Sequence, residues 1–346
     1  MVRAFITGVE GLELAPSERD FLRDADPWGL ILFRRNVESP EQVRQLVASF
    51  REAVGRGDAP VLVDQEGGRV QRLGPPHWPA YPPGALYAAL YAADREAGLS
   101  AARLGARLIA ADLAALGITV DCLPIADVPA KGADPIIGDR AYGTTPEAVS
   151  AVAAAVAAGL MEGGVLPVLK HLPGHGRGNV DSHETLPVVD TDRDTLNATD
   201  FAAFVPLASL PLGMTAHVVY SAIDGENPAT TSATVIRDVI RGHIGFGGAL
   251  MSDDLSMGAL SGSLAERTRA SFAAGCDLGL HCNGKLEEMQ QVASESPVLT
   301  GEAERRTRAA LAVRQPPQDF DIAEARILFS GMIARAPRIG GPSVNA

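Results

Sequence analysis

Short apolar runs alternate along this chain with stretches in which apolar residues recur at helical spacing. The runs are bounded by glycine, proline or charged residues, as expected of buried strands, and cover residues 2–7, 29–33, 60–63, 118–122, 165–169, 212–216, 249–252 and 277–282. Helical patterns lie between them, over residues 17–23, 39–54, 99–116, 145–161, 201–207, 231–241 and 264–274. A further helical stretch follows the last run, from residue 286. The resulting eight strand–helix alternations predict a single (β/α)8 barrel of the TIM type.

Polar side chains follow several of these runs directly. They are Asp64, Lys170, His171, His217, Asp253 and Asn283. In a parallel barrel the C-terminal strand ends meet at one face, which is where active sites of this fold lie. The pattern therefore predicts an active site at the C-terminal ends of the strands.

The seventh run ends in two adjacent carboxylates, Asp253 and Asp254. Successive strand residues point to opposite sides. If Ala249 and Met251 face the barrel interior, Asp253 faces its mouth and Asp254 does not. We expect Asp253 to lie at the active site and Asp254 to cap the next helix.

A glycine-rich segment after the fifth run carries His175, Asp181 and His183. In an extended loop residues i and i+2 point to the same side, so Asp181 can orient and charge-stabilise the imidazole of His183. The alternative is a long surface loop with solvated histidines. We prefer the first interpretation because Lys170 and His171 stand at the preceding strand end.

Two more segments combine acids with arginines. Residues 64–72 (DQEGGRVQR) contain Asp64 and Arg72, and residues 136–143 (IIGDRAYG) place Arg140 in the loop after the fourth run. The first is either a salt-bridged loop or a pair that grips substrate hydroxyls. Arg140 is either a functional residue or a solvent-exposed arginine beside Asp139. The glycine pair in the first segment is only a weak phosphate signal, because no GxGxxG or GK[ST] pattern is present.

Composition limits the class of protein. The chain has 346 residues, of which 46% are hydrophobic, enough for a large core. Its net charge of −12 argues against nucleic acid or an anionic membrane as a partner. Three cysteines do not make a disulfide framework, and neither a signal peptide nor an apolar run of membrane-spanning length is present. We expect a cytoplasmic monomer with one domain over residues 1–346 and a flexible tail after about residue 336.

Histidine and aspartate at barrel strand ends also occur in metal-dependent hydrolases, so a metal site is an alternative. His175 and His183 stand eight positions apart on one loop, and no HxH follows the first run. HExxH and CxxC are absent as well. The sequence therefore favours a metal-free site.

Taken together, the motifs resemble the bacterial β-N-acetylglucosaminidases of glycoside hydrolase family 3, of the type that acts in peptidoglycan recycling. The most specific is KHLPGHG (170–176) with DSH (181–183) downstream. The others are DQEGGRVQR (64–72), GDR (138–140), SDDLSM (252–257), GLILFRRN (29–36) and CDLGLHCN (276–283), so the resemblance covers most of the chain. Departures are Leu172, where the family often has Phe, His281 in a strand that is usually more apolar, and the insert at residues 177–179.

This resemblance implies a role for each matching residue. Asp253 would be the nucleophile, and His183 the acid/base paired with Asp181. Contacts to the sugar would come from Asp64, Arg72, Arg140, Lys170 and His171. No cofactor and no metal are implied.

The implied reaction is the exo-acting, retaining release of terminal β-linked N-acetylglucosamine from 1,6-anhydro-N-acetylmuramyl peptides, a step of cell-wall recycling linked to cell shape and division. A related glycosyl phosphorylase stays open, because a neutral histidine tolerates incoming phosphate better than a carboxylate would. A β-glucosidase is disfavoured by the DSH loop. A non-catalytic sugar-binding barrel is disfavoured by the presence of Asp253, Asp181 and His183.

Overall fold

Eight parallel strands close into a barrel in the computed structural model, which describes residues 1–337. The strands are β1 (Arg3–Thr7), β2 (Pro27–Leu32), β3 (Val61–Val63), β4 (Val120–Asp121), β5 (Leu166–Leu172), β6 (Leu212–Thr215), β7 (Ala249–Asp254) and β8 (Leu278–His281). Each pairs with its neighbours in sequence, and β1 pairs with β8. The single (β/α)8 barrel that the alternation predicts is confirmed.

Helices surround the barrel and connect its strands. They are α1 (Pro16–Ala25), α2 (Pro40–Val54), α3 (Gly84–Ala93), α4 (Arg95–Ala114), α5 (Pro146–Glu162), α6 (Arg193–Ala198), α7 (Val235–His243), α8 (Leu264–Ala274), α9 (Leu286–Glu295), α10 (Gly301–Ala312) and α11 (Ile322–Ile333). Most begin or end where the side-chain chemistry predicts. The Ser39 hydroxyl accepts a hydrogen bond from the Gln42 N–H at 3.2 Å, and Gly275 ends α8 with φ +115°.

Alternation along the strands determines which residues reach the barrel mouth. Leu166 and Val168 of β5, and Ala249 and Met251 of β7, belong to the buried cluster that fills the barrel interior. The next inward positions are Lys170 on β5 and Asp253 on β7, where both line an open cavity. A second, larger apolar cluster packs the outer faces of the strands against the helices. The pleat of the strands therefore places these charged groups above an apolar floor.

Some helices differ from the sequence-based prediction. The helix predicted over residues 201–207 is two short 3-10 turns, Phe201–Ala203 and Val205–Leu207, because Pro206 supplies no N–H to a continuous helix. The helix predicted over residues 231–241 is present as α7, and the Ser232 hydroxyl accepts the Val235 N–H at 3.1 Å, but its bonding is of the π type: the Ile244 N–H donates to the Val239 carbonyl at 2.8 Å. Helix α3 was not predicted, since it lacks a polar cap and follows a proline-rich segment.

Two small strand pairs on the loops were also not predicted. Gln65–Gly67 and Val70–Gln71 form an antiparallel hairpin after β3. Val188–Val189 and Val219–Tyr220 pair in parallel and join the loops after β5 and β6. Segments of two or three residues carry too little periodicity to be recognised from sequence.

Residues 338–346 lie outside the described part of the chain, and with them most of the tail after residue 336. The expectation of a flexible tail, and of one domain over residues 1–346, therefore stays a prediction. Within residues 1–337, no helix has both the length and the apolar character needed to cross a bilayer.

Candidate active site

A cavity of about 280 Å³ opens at the C-terminal ends of the barrel strands. Seven of the eight residues to which the family resemblance assigns a role line it: Asp64, Arg72, Arg140, Lys170, His171, His183 and Asp253. His175 and Asp254 line it as well, although the strand alternation predicted that Asp254 would not face the mouth. Apolar side chains complete its wall and floor, among them Phe33, Met214, Met257 and Leu280. Asp181 reaches the cavity indirectly, through its contact with His183.

Lys170 is the centre of a buried ion-pair network. Its Nζ lies 2.9 Å from Asp64 Oδ1 and 2.7 Å from Glu66 Oε1. Arg72 Nη2 lies 3.1 Å from Asp64 Oδ2. Burial alone would raise the pKa of Asp64, but the charges of Lys170 and Arg72 lower it well below its usual range. The network is therefore ionised at neutral pH.

Glu66 extends this network to Arg140. The guanidinium of Arg140 donates from Nε and Nη2 to the two oxygens of Glu66, at 2.9 and 2.8 Å. Burial opposes the charge on Glu66, but Arg140 and then Lys170 lower its pKa to about 2. The bidentate pair fixes the guanidinium plane of Arg140 at the cavity wall. Sequence analysis did not single out Glu66 within its loop motif. Its position two residues after Asp64 could have identified it, because residues i and i+2 of an extended chain point to the same side.

Asp121 lies beneath this network at the end of β4. Its Oδ1 accepts a hydrogen bond from the Gln65 N–H at 3.0 Å, and its side chain is fully buried. Burial raises the pKa of Asp121 well above the usual range of a carboxyl. Burial thus favours the neutral form of the carboxyl, which supports the backbone next to Asp64.

His171 is held by a second carboxylate that the sequence did not reveal. Asp127 Oδ2 lies 2.7 Å from His171 Nδ1, while its Oδ1 accepts the His175 N–H at 2.6 Å. The register of β5 against β6 shifts between Leu169 and Leu172, and both Lys170 and His171 line the cavity. Asp127 sits in the long loop after β4, where no spacing rule connects it to His171.

Asp253 faces the cavity mouth as the strand alternation predicts. Burial alone would raise its pKa, but interactions with the His217 and His171 side chains and the Asp254 N–H lower it. His217 lies behind it and donates from Nε2 to the Asp254 carbonyl at 2.9 Å. The Asp253 carboxylate is thus ionised at neutral pH and held on a fixed backbone.

The expectation that Asp254 caps a helix is wrong. Asp254 accepts from the Ser256 N–H at 3.0 Å and from the Cys282 N–H at 3.1 Å, so it joins the turn after β7 to the end of β8. The cap of α8 is Ser263. Asn283, the polar residue after β8, donates to Glu288 and does not line the cavity.

The pair of Asp181 and His183 forms as the i, i+2 spacing predicts. Asp181 Oδ1 lies 2.7 Å from His183 Nδ1 and also accepts the His183 N–H at 2.9 Å. Nδ1–H therefore points at the carboxylate, which leaves Nε2 for another partner. The two side chains are 33% and 61% exposed, in contrast to the buried groups across the cavity. Over residues 1–337, no cluster of three or more His, Cys, Asp or Glu side chains has the arrangement of a metal site.

Comparison with known proteins agrees with this geometry. Residues 6–311 match the model of the glycosyl hydrolase family 3 N-terminal domain. The chain is 43% identical to a β-hexosaminidase of Alkalilimnicola ehrlichii over 282 residues, covering 80% of this chain and 79% of that protein. It is 35% identical to a β-hexosaminidase of Aromatoleum aromaticum over 317 residues, covering 90% and 87% of the two chains.

A solved structure has the same architecture. The structure of NagZ from Neisseria gonorrhoeae in complex with N-trifluoroacetyl-D-glucosamine superimposes with a TM-score of 0.86 at 30% identity, covering 96% of this chain and 98% of the other. The match of the family model over most of the barrel, together with these relatives, shows that the chain belongs to glycosyl hydrolase family 3 and is a glycoside hydrolase of the β-N-acetylhexosaminidase type.

Proposed function

We propose that this enzyme is a retaining exo-β-N-acetylglucosaminidase that releases terminal N-acetylglucosamine from 1,6-anhydro-N-acetylmuramyl peptides. The observation that carries the proposal is the ionised carboxylate of Asp253 opening on the same cavity as the pair of His183 and Asp181. A retaining glycosidase needs a nucleophile on one face of the sugar and an acid/base at the leaving oxygen. The two groups supply these functions.

The reaction runs in two steps. In the first, a carboxylate oxygen of Asp253 attacks the anomeric carbon while Nε2–H of protonated His183 gives its proton to the departing glycosidic oxygen. In the second, neutral His183 takes a proton from water, which attacks the anomeric carbon and frees Asp253. Asp181 holds Nδ1–H throughout, so it fixes the ring orientation and stabilises the imidazolium form.

The remaining polar groups bind the terminal sugar. Asp64, Arg72, Arg140, Lys170 and His171 surround the cavity and present charged donors and acceptors to hydroxyl groups. Small-molecule sites usually measure about 300–1,000 Å³, so a cavity of about 280 Å³ suits one sugar ring rather than an oligosaccharide. This size supports exo action. The names of the relatives and the N-trifluoroacetyl-D-glucosamine complex support an N-acylated hexosamine at this position.

Covalent trapping tests the nucleophile. A fluorinated N-acetylglucosaminyl inactivator should leave an ester on Asp253, found by peptide mapping, and Asp253→Ala should lower turnover by several orders of magnitude while remaining folded. Asp254→Asn serves as the neighbouring control and should keep the labelling site. An ester on Asp254 or on a glutamate would overturn the assignment.

Product analysis with and without inorganic phosphate tests the acceptor. Hydrolysis predicts free N-acetylglucosamine in both cases and a rate that does not depend on phosphate. A phosphate-dependent rate with N-acetylglucosamine 1-phosphate as the product would show a phosphorylase instead.

A comparison of substrates tests the leaving group. Turnover of anhydromuramyl peptides should exceed that of N-acetylglucosamine disaccharides; the reverse order would remove the muropeptide from the proposal.

A further inference from the structure

Residues 174–187 form a loop that carries Asp181 and His183, the acid/base loop. Both of its ends are hydrogen-bonded to the segment after β6. Tyr220 donates its hydroxyl hydrogen to the Gly174 carbonyl at the start of the loop. The Val219 N–H donates to the Pro187 carbonyl at 3.0 Å at its end. The ends are therefore fixed, and the position of His183 depends on what holds the middle.

The loop after β7 makes one of these central contacts. The Gly258 N–H donates to the His183 carbonyl at 3.1 Å, and the Ala259 N–H donates to the Ser182 carbonyl at 3.2 Å. A Cβ at position 258 would lie 2.6 Å from the Glu184 carbonyl oxygen, so only glycine permits this approach. This loop follows directly on β7, the strand that carries Asp253, so these bonds connect the acid/base loop to the segment that carries the proposed nucleophile.

His175 makes the other central contact. Its Nε2 lies 3.0 Å from the Ser182 hydroxyl, and both side chains are 3% exposed. The backbone of His175 is fixed in turn, because its N–H donates to Asp127, which also holds His171. A continuous set of hydrogen bonds thus runs from the cavity wall to the residue between Asp181 and His183.

We propose that His175 is a positioning residue that acts through Ser182 to hold His183 at the glycosidic oxygen. Ser182 is anchored by its side chain on one side and by its carbonyl on the other, so Asp181 and His183 project from a fixed backbone although both are solvent-accessible. This inference rests on the proposed acid/base function of His183.

The surroundings of His175 argue against a direct acid role for it. Its ring is buried, and Nε2 is engaged by Ser182. Burial, and then the neighbouring His171, lower the pKa of His175, so the ring stays neutral at neutral pH. A neutral ring suits a hydrogen-bonding anchor and not a proton donor to a leaving group.

Ser182→Ala tests the inference with a small change. Loss of one buried hydrogen bond that fixes the general acid should lower kcat about tenfold on glycosides with poor leaving groups. Release of nitrophenol in the first turnover should stay close to wild type, and azide should restore part of the steady-state rate. Ser182→Thr, which keeps the hydroxyl, should recover most of the activity. Ser330→Ala, on the exposed face of α11, is the matched control.

Amide exchange gives a readout that does not depend on activity. In Ser182→Ala and in His175→Phe, the amides of Gly258 and Ala259 should exchange several-fold faster than in wild type, and the double variant should add little to either single change. Unchanged exchange, or an equal loss of rate on all leaving groups, would overturn the positioning role. If His183→Ala loses rate only on glycosides with poor leaving groups while Ser182→Ala behaves like wild type, the positioning role of His175 is overturned and the proposed function stands. If His183→Ala shows no dependence on the leaving group, the proposed function itself is overturned.

Discussion

The pKa values of two aspartates near Lys170 shift in opposite directions. Asp64 forms ion pairs with Lys170 and Arg72 and stays ionised, whereas Asp121 is buried with its Oδ1 on a backbone N–H, and burial raises its pKa. Side-chain type alone does not distinguish them; the difference comes from whether a cation lies within contact distance.

A pair of isosteric changes should separate these states. Asp121→Asn keeps the acceptor for Gln65 and matches the neutral form that burial favours, so we expect kcat/KM within about threefold of wild type and little loss of stability. Asp64→Asn leaves Lys170 and Arg72 under-compensated, and we expect kcat/KM to fall at least about tenfold. Steady-state kinetics and chemical denaturation of both variants measure this. A large defect in Asp121→Asn would mean that its carboxyl is ionised in the folded protein.

The acid/base assignment has its own residue-level test. A nitrophenolate leaves without protonation, so His183→Ala should form the glycosyl–enzyme at nearly the wild-type rate on aryl glycosides and then stall, giving a burst of nitrophenol. Azide needs no general base and should rescue turnover to a β-glycosyl azide. Asp181→Asn should show a weaker form of the same defect, because it disturbs the imidazole without removing it. Failure of both the burst and the rescue would point to another acid, with Glu184 as the first candidate.

At this scale the sequence predicted side chains at strand ends well and partners in loops poorly. Alternation along β7 identified Asp253 as the inward residue, and the i, i+2 spacing identified the contact of Asp181 with His183. Glu66 and Asp127 were missed because their partners, Arg140 and His171, lie 74 and 44 positions away. Pairings at such separations depend on how the loops pack, which local periodicity does not encode.

Among the elements, the glycine-rich segment of the acid/base loop is shaped by packing. A Cβ on Gly176 would lie 2.0 Å from the Val128 carbonyl oxygen, and one on Gly178 would lie 3.0 Å from the His175 ring. From sequence, the same glycines indicate only that the segment is a loop. The structure adds a steric requirement, since the segment runs against the loop after β4, where the Ala130 N–H donates to the Gly176 carbonyl at 2.9 Å.

Gly176→Ala should therefore destabilise the protein, by about 1–3 kcal/mol if the neighbouring backbone yields and by more if it does not. Gly57→Ala is the matched control, because a Cβ there meets nothing within 4 Å and the residue is exposed. Denaturant midpoints of the two variants give the comparison. Equal stability of Gly176→Ala and wild type would mean that the two loops are not packed together in solution.

For the molecule as a whole, the ion-pair network should make the free energy of unfolding depend on pH. Because the pKa of Glu66 is lowered in the folded state to about 2, its contribution is fully present above the pKa of the unfolded chain and is lost as the pH falls toward 2. A shift of this size corresponds to roughly 3 kcal/mol. The charge state of the cavity wall therefore contributes to the stability of the whole fold.

The comparison of wild type with Glu66→Gln isolates this effect. The difference in unfolding free energy should be largest above about pH 5 and should shrink steadily as the pH is lowered, since both side chains are then uncharged. Glu13→Gln, at an exposed loop position, should differ little from wild type at any pH. A difference for Glu66→Gln that does not vary with pH would exclude an ionised Glu66 from the network.

The pairing of β1 with β8 joins the two ends of the barrel, with Phe5 opposite Gly279 and Thr7 opposite His281. The ribosome synthesises β1 first, so β1 cannot pair with β8 until nearly the whole barrel has been synthesised. Contacts at such separation in sequence slow folding and leave strand edges open to wrong partners in the meantime. The Leu299 N–H donates to the Val2 carbonyl at 2.9 Å, so this hydrogen bond beside β1 forms later still. A nascent chain released before β8 is synthesised would be a sheet with two free edges, a form that is prone to wrong strand pairing and aggregation.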